Sequence, residues 1–534
     1  MLFCLDATMK RAIRRFGRAA VALSLALGCA KAPPAPVKDT LVRHLDGDPS
    51  TLDPLTTNDE LGLRVVDLLF RPLVGIDRDR RFVPGLAASW RVSDEGRTYT
   101  FSLDPQARWE DGSPVTSADV KFTLERILDP KAGAVNWRPA LEDLDRVETP
   151  DAVTARVTFR KPYAERLLAF NLPIVCAAAY ARDPKAVHRS PFGSGPYRLE
   201  SWETNQKLVL VRRADAGAAA HFARVVFRVI PDDAVRYQAG ARGELDEFRV
   251  TRTQTATAQK APEFLAKNRL VKSPQFLVVE IVWNCRNALL ADARVRRALA
   301  MAWPREEAAK QLYPPDGAAL VSGPYPAGAA ECDPAVKPPA FDVAAAGKLL
   351  DEAGLAAGPD GMRRKGGKKV SIELLFPVGR IYSNLAEILR QSYAKAGIEL
   401  TLRPLDWAAY VSRGQAGEFD AQIMGQFYLP PNLDPFPYFH STQSPPNGGN
   451  QGRYANPETD RVMEAAEREL DAARRLELYR EVHRLLAADA PADFLWSADQ
   501  YWAVSKDVEG VEISPIGLFH FLPGPLGWRP AAAH

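Results

Sequence analysis

Residues 81–128 read RFVPGLAASWRVSDEGRTYTFSLDPQARWEDGSPVTSADVKFTLERIL. Trp90 and Val92 alternate with polar residues, and Asp94-Glu95-Gly96 supplies a turn. Tyr99, Phe101 and Leu103 then alternate with Thr98, Thr100 and Ser102, which is the period of a half-buried strand. After a second turn at Glu110-Asp111-Gly112, Thr116 can cap a helix with Asp119 three residues on, and Val115 and Val120 are placed to staple its start. Val120, Leu124, Ile127 and Leu128 share one helical face, and Asp129-Pro130 ends it. A hairpin feeding a capped helix is predicted.

Outward from this block the two patterns recur. Strand-like runs fall at 208–211 and 225–230, and beyond Val278 helices alternate with strands. Asp342 is placed to cap a helix closed by Gly354, and Ser383 to start one closed by Gly397, with a strand at 398–402. Asn456-Pro457 opens a helical tract predicted through Ala488, with Val462, Leu470, Leu476, Tyr479, Val482 and Leu486 as its apolar positions. Such an α/β layout implies two lobes, each on its own sheet, and 534 residues exceed what one core holds. With 46% apolar and 25% charged residues the composition is that of a globular protein, and a net charge of +3 argues against nucleic acid as partner. The basic cluster 363–369 reads as a solvated loop.

The first residues read as a targeting segment. Basic residues between Lys10 and Arg18 precede an apolar run at 19–27, too short to span a bilayer, and then Gly28-Cys29. Residues 1–28 are expected to be a signal peptide, with translation starting at Met1 or at Met9. Ala26-Leu27-Gly28-Cys29 is similar to a lipobox, so Cys29 is expected to carry lipid; cleavage and release is the alternative. Residues 29–39, rich in proline, read as a tether. Export, to the periplasm or the surface of a single-membrane cell, would place the chain in an oxidising compartment. There Cys176, Cys285 and Cys332 remain, with Cys176 read as core and a Cys285–Cys332 bridge as possible.

Catalytic constellations are missing from the pattern. Gly193-Ser194-Gly195 lacks the flanks of a nucleophile elbow, and Pro196 and Arg198 spoil a phosphate-loop reading. The seven histidines are scattered singly, without metal-ligand spacing, and Asp232-Asp233 reads as a solvated pair. No enzyme activity, metal or cofactor is expected.

The wording of several segments resembles one family, the extracellular solute-binding proteins of family 5, which hand peptides, nickel complexes and similar solutes to ABC importers. Besides residues 81–128, the resemblance rests on STLDP (50–54), VDLLFRPLVG (66–75), PFGSGPYRLESW (191–202), GELD (243–246), DARVRRALAMAWPR (292–305), FDVAAAGKLLDEAGL (341–355) and GEFD (417–420), in the family's order. It implies a two-lobed periplasmic binding protein of class II, three-domain type (cluster C), with a central ligand cleft and a hinge. Domain I would comprise 40–73, 191–277 and 512–534, domain II 74–190 and domain III 278–511. The implied partners are a small solute, the permease and ATPase subunits of an ABC importer, and the membrane through the lipid anchor; a monomer is expected. A sensor or chaperone without its own transporter, or a receptor for a non-peptide solute, is the alternative.

A cleft needs aromatic walls and a few polar groups that fix the ligand's pose. By the same resemblance, Trp407 matches a cleft-lining tryptophan, with plain core packing as the alternative. Residues 425–440 (GQFYLPPNLDPFPYFH) resemble the segment that enters the cleft, where peptide receptors carry an Asp that pairs with the peptide's ammonium group. Here Gln426 replaces that segment's Trp and Leu429 its Asp, with Ile423 where some relatives have Arg. Tyr428 is a further candidate, and Asp434 could substitute for the carboxylate, although Asp434-Pro435 also reads as a local turn. Asn58, Trp137, Asn450, Arg453 and Trp496 complete the candidates from analogous segments. With Leu429 in that position, recognition of a free peptide amine is expected to be weak.

Overall fold

The computed structural model describes residues 38–534 apart from 58, 135–136, 216–219, 275–276, 314–317, 428–432, 447 and 533–534. Cys29, the leader, most of the tether, Asn58, Tyr428 and Leu429 therefore lie outside the described residues.

The first lobe is built on a seven-stranded sheet in the order Asn268–Ser273, Gln500–Ser505, Glu247–Val250, Thr40–Leu45, Arg224–Val229, Lys207–Arg212, Tyr197–Glu203. Thr40–Leu45 lies parallel to Arg224–Val229, with Leu41 opposite Val225. A four-stranded antiparallel sheet, Ala87–Ser93, Thr98–Leu103, Thr154–Phe159 and Leu144–Asp151, carries the predicted hairpin. Tyr99, Phe101 and Leu103 are buried as their alternation requires, and the Phe101 and Phe170 rings meet edge to face at 4.6 Å. Val92 does not follow: it is exposed, because beyond Ala87 this edge strand buries little. The helix Ser117–Leu128 starts as expected. The Asp119 carboxylate accepts from the Thr116 backbone N–H at 2.9 Å, and its other oxygen accepts from Ala177 N at 3.0 Å. One side chain thus serves two helix starts. One face of the seven-stranded sheet shares a continuous core with the four-stranded sheet, and its other face, with Phe248, Val250, Tyr501 and Ala503, packs in a separate core.

The second lobe has a six-stranded sheet in the order Ala319–Leu320, Ala492–Ser497, Leu277–Trp283, Ala421–Phe427, Ser371–Pro377, Glu399–Leu405. One face packs on the helices Ala293–Met301, Val343–Glu352 and Arg380–Lys395. The other packs largely on Pro457–Arg468 and Ala472–Asp489. The helix expected from Ser383 begins at Arg380, and the strand expected at 398–402 runs Glu399–Leu405. The tract expected to be one helix through Ala488 is two. Asp471 accepts from Arg474 N and caps a fresh start, so a strong capping residue overrides the continuing periodicity. Leu470 falls in the gap, exposed, beside Gly96 of the first lobe.

A first-lobe strand ends at Ser273 and a second-lobe strand begins at Leu277, and the chain returns to the first lobe at 498–499. The return comes earlier than the expected boundary at 511. The strand Gln500–Ser505 already pairs with Glu247–Val250 and Asn268–Ser273 of the first lobe. Cys176, Cys285 and Cys332 are all free thiols, so the Cys285–Cys332 bridge is not formed. Asp232, read as solvated, caps the helix Asp233–Arg242 by accepting from Ala234 N and Val235 N.

Candidate functional site

Strand direction decides where a ligand could sit. Leu277, the first residue after the crossover, lies opposite Phe427, the last of its antiparallel neighbour. Ser371–Pro377 runs parallel to Ala421–Phe427 and to Glu399–Leu405. The carboxyl ends of these three strands therefore share the crossover end of the sheet, the position where open α/β sheets bind ligands. Val378, Ile381 and Trp407 cluster among the exposed apolar side chains of this end, Trp407 being 69% exposed. Asp406 accepts from Ala409 N at 3.1 Å and starts the helix Trp407–Ala416. That places the Trp407 indole on the first helical turn, its ring centre 5.6 Å from that of Tyr410. Core packing, the alternative for Trp407, is excluded by this exposure.

A polar layer lies inside the lobe. Along Leu277–Trp283 the side chains alternate, so Val278, Glu280 and Val282 share a face. Gln426, Met424 and Gln422 stand opposite them on the next strand. Glu280, Gln422 and Gln426 are all buried. The Gln422 amide donates to Gln451 Oε1 at 2.5 Å. Glu280 Oε2 has no hydrogen-bond partner, and Glu280 forms no ion pair among the described residues. Burial pushes its carboxyl up to about 8, since removing an unpaired charge from water favours the neutral form.

The lobes meet at Asp434. Its Oδ1 accepts from Phe436 N at 2.9 Å, opening the short helix Phe436–Phe439. Its Oδ2 accepts from the Tyr163 hydroxyl of the first lobe at 3.4 Å. Burial raises its carboxyl to about 6. Beside it Ala164 N donates to Glu467 O at 2.8 Å, and Arg475 pairs with Glu165 at 2.7 Å. Burial, and then the charge of Asp434, push Glu467 up to about 8. At the crossover the Arg252 guanidinium lies over Tyr501 of the first lobe at 5.2 Å and over Tyr313 of the second at 5.0 Å.

Trp496, Asn450, Arg453 and Trp137 are engaged within the scaffold. Trp496 is fully buried, edge-on to Trp303 at 6.2 Å and Tyr313 at 5.5 Å, and belongs to the core. Asn450 spends its amide on His440 O (3.0 Å) and Tyr454 O (2.8 Å), with Oδ1 accepting from Tyr454 N. Arg453 is tied to Gln451 O (2.6 Å) and Gln415 O (2.7 Å). The Trp137 indole donates to Pro54 O at 3.3 Å, joining the early loop to the inserted domain. Sequence reasoning passed over Glu280, Tyr163, Tyr410, Tyr438 and Arg252. Glu280 had a signal: a lone charge in the apolar run VVEIVW. A more open hollow at the far end of the second lobe, lined by Asn284, Arg286, Glu373, Arg413 and Asp420, is polar and lies away from the crossover. Among the described residues no group of His, Cys, Asp and Glu is arranged to hold a metal.

Two sheets joined by a double crossover, with aromatic and polar groups gathered where they meet, define a two-lobed periplasmic binding protein. The structure superposes on HbpA2 from Haemophilus parasuis with a TM-score of 0.81, at 23% identity, over 92% of this chain and 100% of that one. It also superposes on NikZ from Campylobacter jejuni, solved with Ni(L-His), with a TM-score of 0.77, at 22% identity, over 92% and 99%. In sequence it is 28% identical to Protein XP55 of Streptomyces lividans, over 93% of this chain and 92% of that protein. It is 27% identical to the Dipeptide-binding protein of Pseudomonas aeruginosa, over 93% and 96%. Residues 81–450 match the bacterial extracellular solute-binding proteins, family 5 Middle, and the chain belongs to that family. Its role is solute binding.

Proposed function

We propose that this protein is the substrate-binding lipoprotein of an ABC importer, capturing a peptide or peptide-like solute between its lobes and delivering it to the permease. The observation that carries the reading is the placement of Trp407, Glu280 and Asp434 at the crossover end of the second lobe, with Tyr163 reaching Asp434 from the first. A solute held there touches both lobes and stabilises only their closed arrangement. Several relatives are named as dipeptide- or oligopeptide-binding proteins, which supports a peptide as the solute class. Hinge closure predicts that loading lowers the radius of gyration seen by small-angle scattering; tight binding with no compaction contradicts it. Anchoring through Cys29 is part of the same proposal. Cys29→Ser is expected to move the protein from the membrane fraction to the soluble one and to abolish lipid labelling; unchanged partitioning contradicts it.

A further inference from the structure

We infer that Glu280 is a ligand-anchoring residue of the interlobe site, and that the solute presents an ammonium group to it. The inference rests on the solute-receptor reading above. Glu280 stands on an interior strand, three residues from the crossover end, and is 1% exposed. Its Oε2 has no hydrogen-bond partner, and no Lys or Arg among the described residues pairs with it.

Other buried carboxylates of this molecule are compensated. Glu247 has Arg43 at 2.8 Å and Arg64 at 2.6 Å. Asp493 has Arg305 at 3.0 Å and the Trp303 indole at 2.9 Å. Asp53 has the Tyr180 hydroxyl at 2.5 Å and Leu55 N at 3.0 Å. An unpaired buried carboxylate costs several kcal/mol or stays protonated, and nothing in the fold of the second lobe recovers that cost for Glu280. Its cross-strand neighbours, Met424 and Phe494, cannot donate to it. The Tyr410 hydroxyl is spent on Ile423 O at 2.7 Å.

The surroundings suit a cation that enters from the cleft. Tyr410 and Tyr438 lie within electrostatic reach of Glu280: burial raises both hydroxyls, Tyr382 adds to the rise of Tyr410, and the charge of Glu280 contributes to each. Tyr410 leads outward to the exposed Trp407, and Tyr438 feels the charges of both Glu280 and Asp434. Aromatic faces and carboxylates together are the chemistry that holds an ammonium group. Among the described residues the titratable groups that interact with Glu280 are Tyr410 from the helix Trp407–Ala416 and Tyr438 from the helix Phe436–Phe439. The strand Ala421–Phe427 brings the amides of Gln422 and Gln426 to the same face.

The test compares the full chain and Glu280→Gln by titration calorimetry against dipeptides with free and with acetylated amino termini. Contrary to the weak amine recognition expected from Leu429, the wild type is expected to prefer the free forms roughly ten- to a hundredfold, the worth of a buried charge-assisted contact. Glu280→Gln is expected to lose that preference while keeping its affinity for the acetylated forms. A second readout separates anchoring from a structural role. Near pH 7 a carboxyl held at about 8 is neutral, so an arriving ammonium ionises it and a proton is released. Titrations in buffers of different ionisation enthalpy should show that proton for the wild type and none for Glu280→Gln. Glutamine is isosteric, so the variant's melting temperature is expected to equal or exceed that of the wild type. A preference retained by Glu280→Gln, or equal binding of both forms by the wild type, overturns the proposal. If neither form binds the wild type, the peptide reading of the protein falls, and this proposal with it.

Discussion

Two tryptophans with the same sequence-based expectation have opposite fates. Trp407 is 69% exposed and Trp496 is fully buried against Trp303 and Tyr313. Trp407→Ala is expected to change stability by no more than about 0.5 kcal/mol, as exposed positions do. It should weaken ligand binding by about 0.5–1.5 kcal/mol, the worth of an aromatic contact. Trp496→Ala is expected to cost about 3–5 kcal/mol in a denaturant melt by leaving a cavity. Comparable stability losses in both variants would refute this division. The sequence named both residues because aromatic character alone does not say which way a side chain points. Asp406 carried the missing information: a capping carboxylate puts the next residue on an exposed first turn. Glu280 was invisible as a candidate until the fold showed its carboxylate buried and without a partner on an interior strand.

At the scale of elements, the motifs that made the family legible hold the scaffold together. Arg296 of DARVRRAL binds Leu290 O (2.6 Å) and Ala490 O (2.8 Å), fastening the end of a distant helix. The role of Gly193 and Gly195 is close approach. A Cβ at Gly193 would stand 1.9 Å from Leu69 O, and Gly195 N donates to that same oxygen at 2.8 Å. Such segments are readable because backbone constraints admit few residues, whereas a ligand wall admits many. The C-terminal segment is clamped differently. His520 lies between Asp67, at 2.6 Å, and Glu60, at 3.0 Å, on the helix Glu60–Leu69. Burial opposes its charge, but the two carboxylates hold the imidazole well above its ordinary value of 6.5. Stability from this clamp is therefore complete below the unfolded value and lost as pH rises through the folded one. Urea midpoints at about pH 6 and about pH 9 should fall more for the wild type than for His520→Gln. Parallel slopes for the two would contradict the clamp.

Across the whole molecule, two bodies are joined by a chain that crosses twice, and polar pairs bridge them. Tyr163–Asp434, Ala164–Glu467, Glu165–Arg475 and Arg80–Glu331 span the seam. Such a polar seam can open without breaking either core, because the two lobes pack separate sets of apolar residues. The two-lobe plan was legible from alternating helix and strand patterns. The point of return at 498–499 was not, since a buried strand such as Gln500–Ser505 reads alike in either sheet. The central claim is that this seam encloses one small solute. Native mass spectrometry of the protein purified from its own cell envelope tests it most directly. The account predicts one small-molecule adduct per chain, freed by denaturation. Returning that molecule at a hundredfold excess over Kd should add about 2.7 kcal/mol of stability. A chain that flies at its bare mass, with no extract of its own envelope able to load it, would contradict the account.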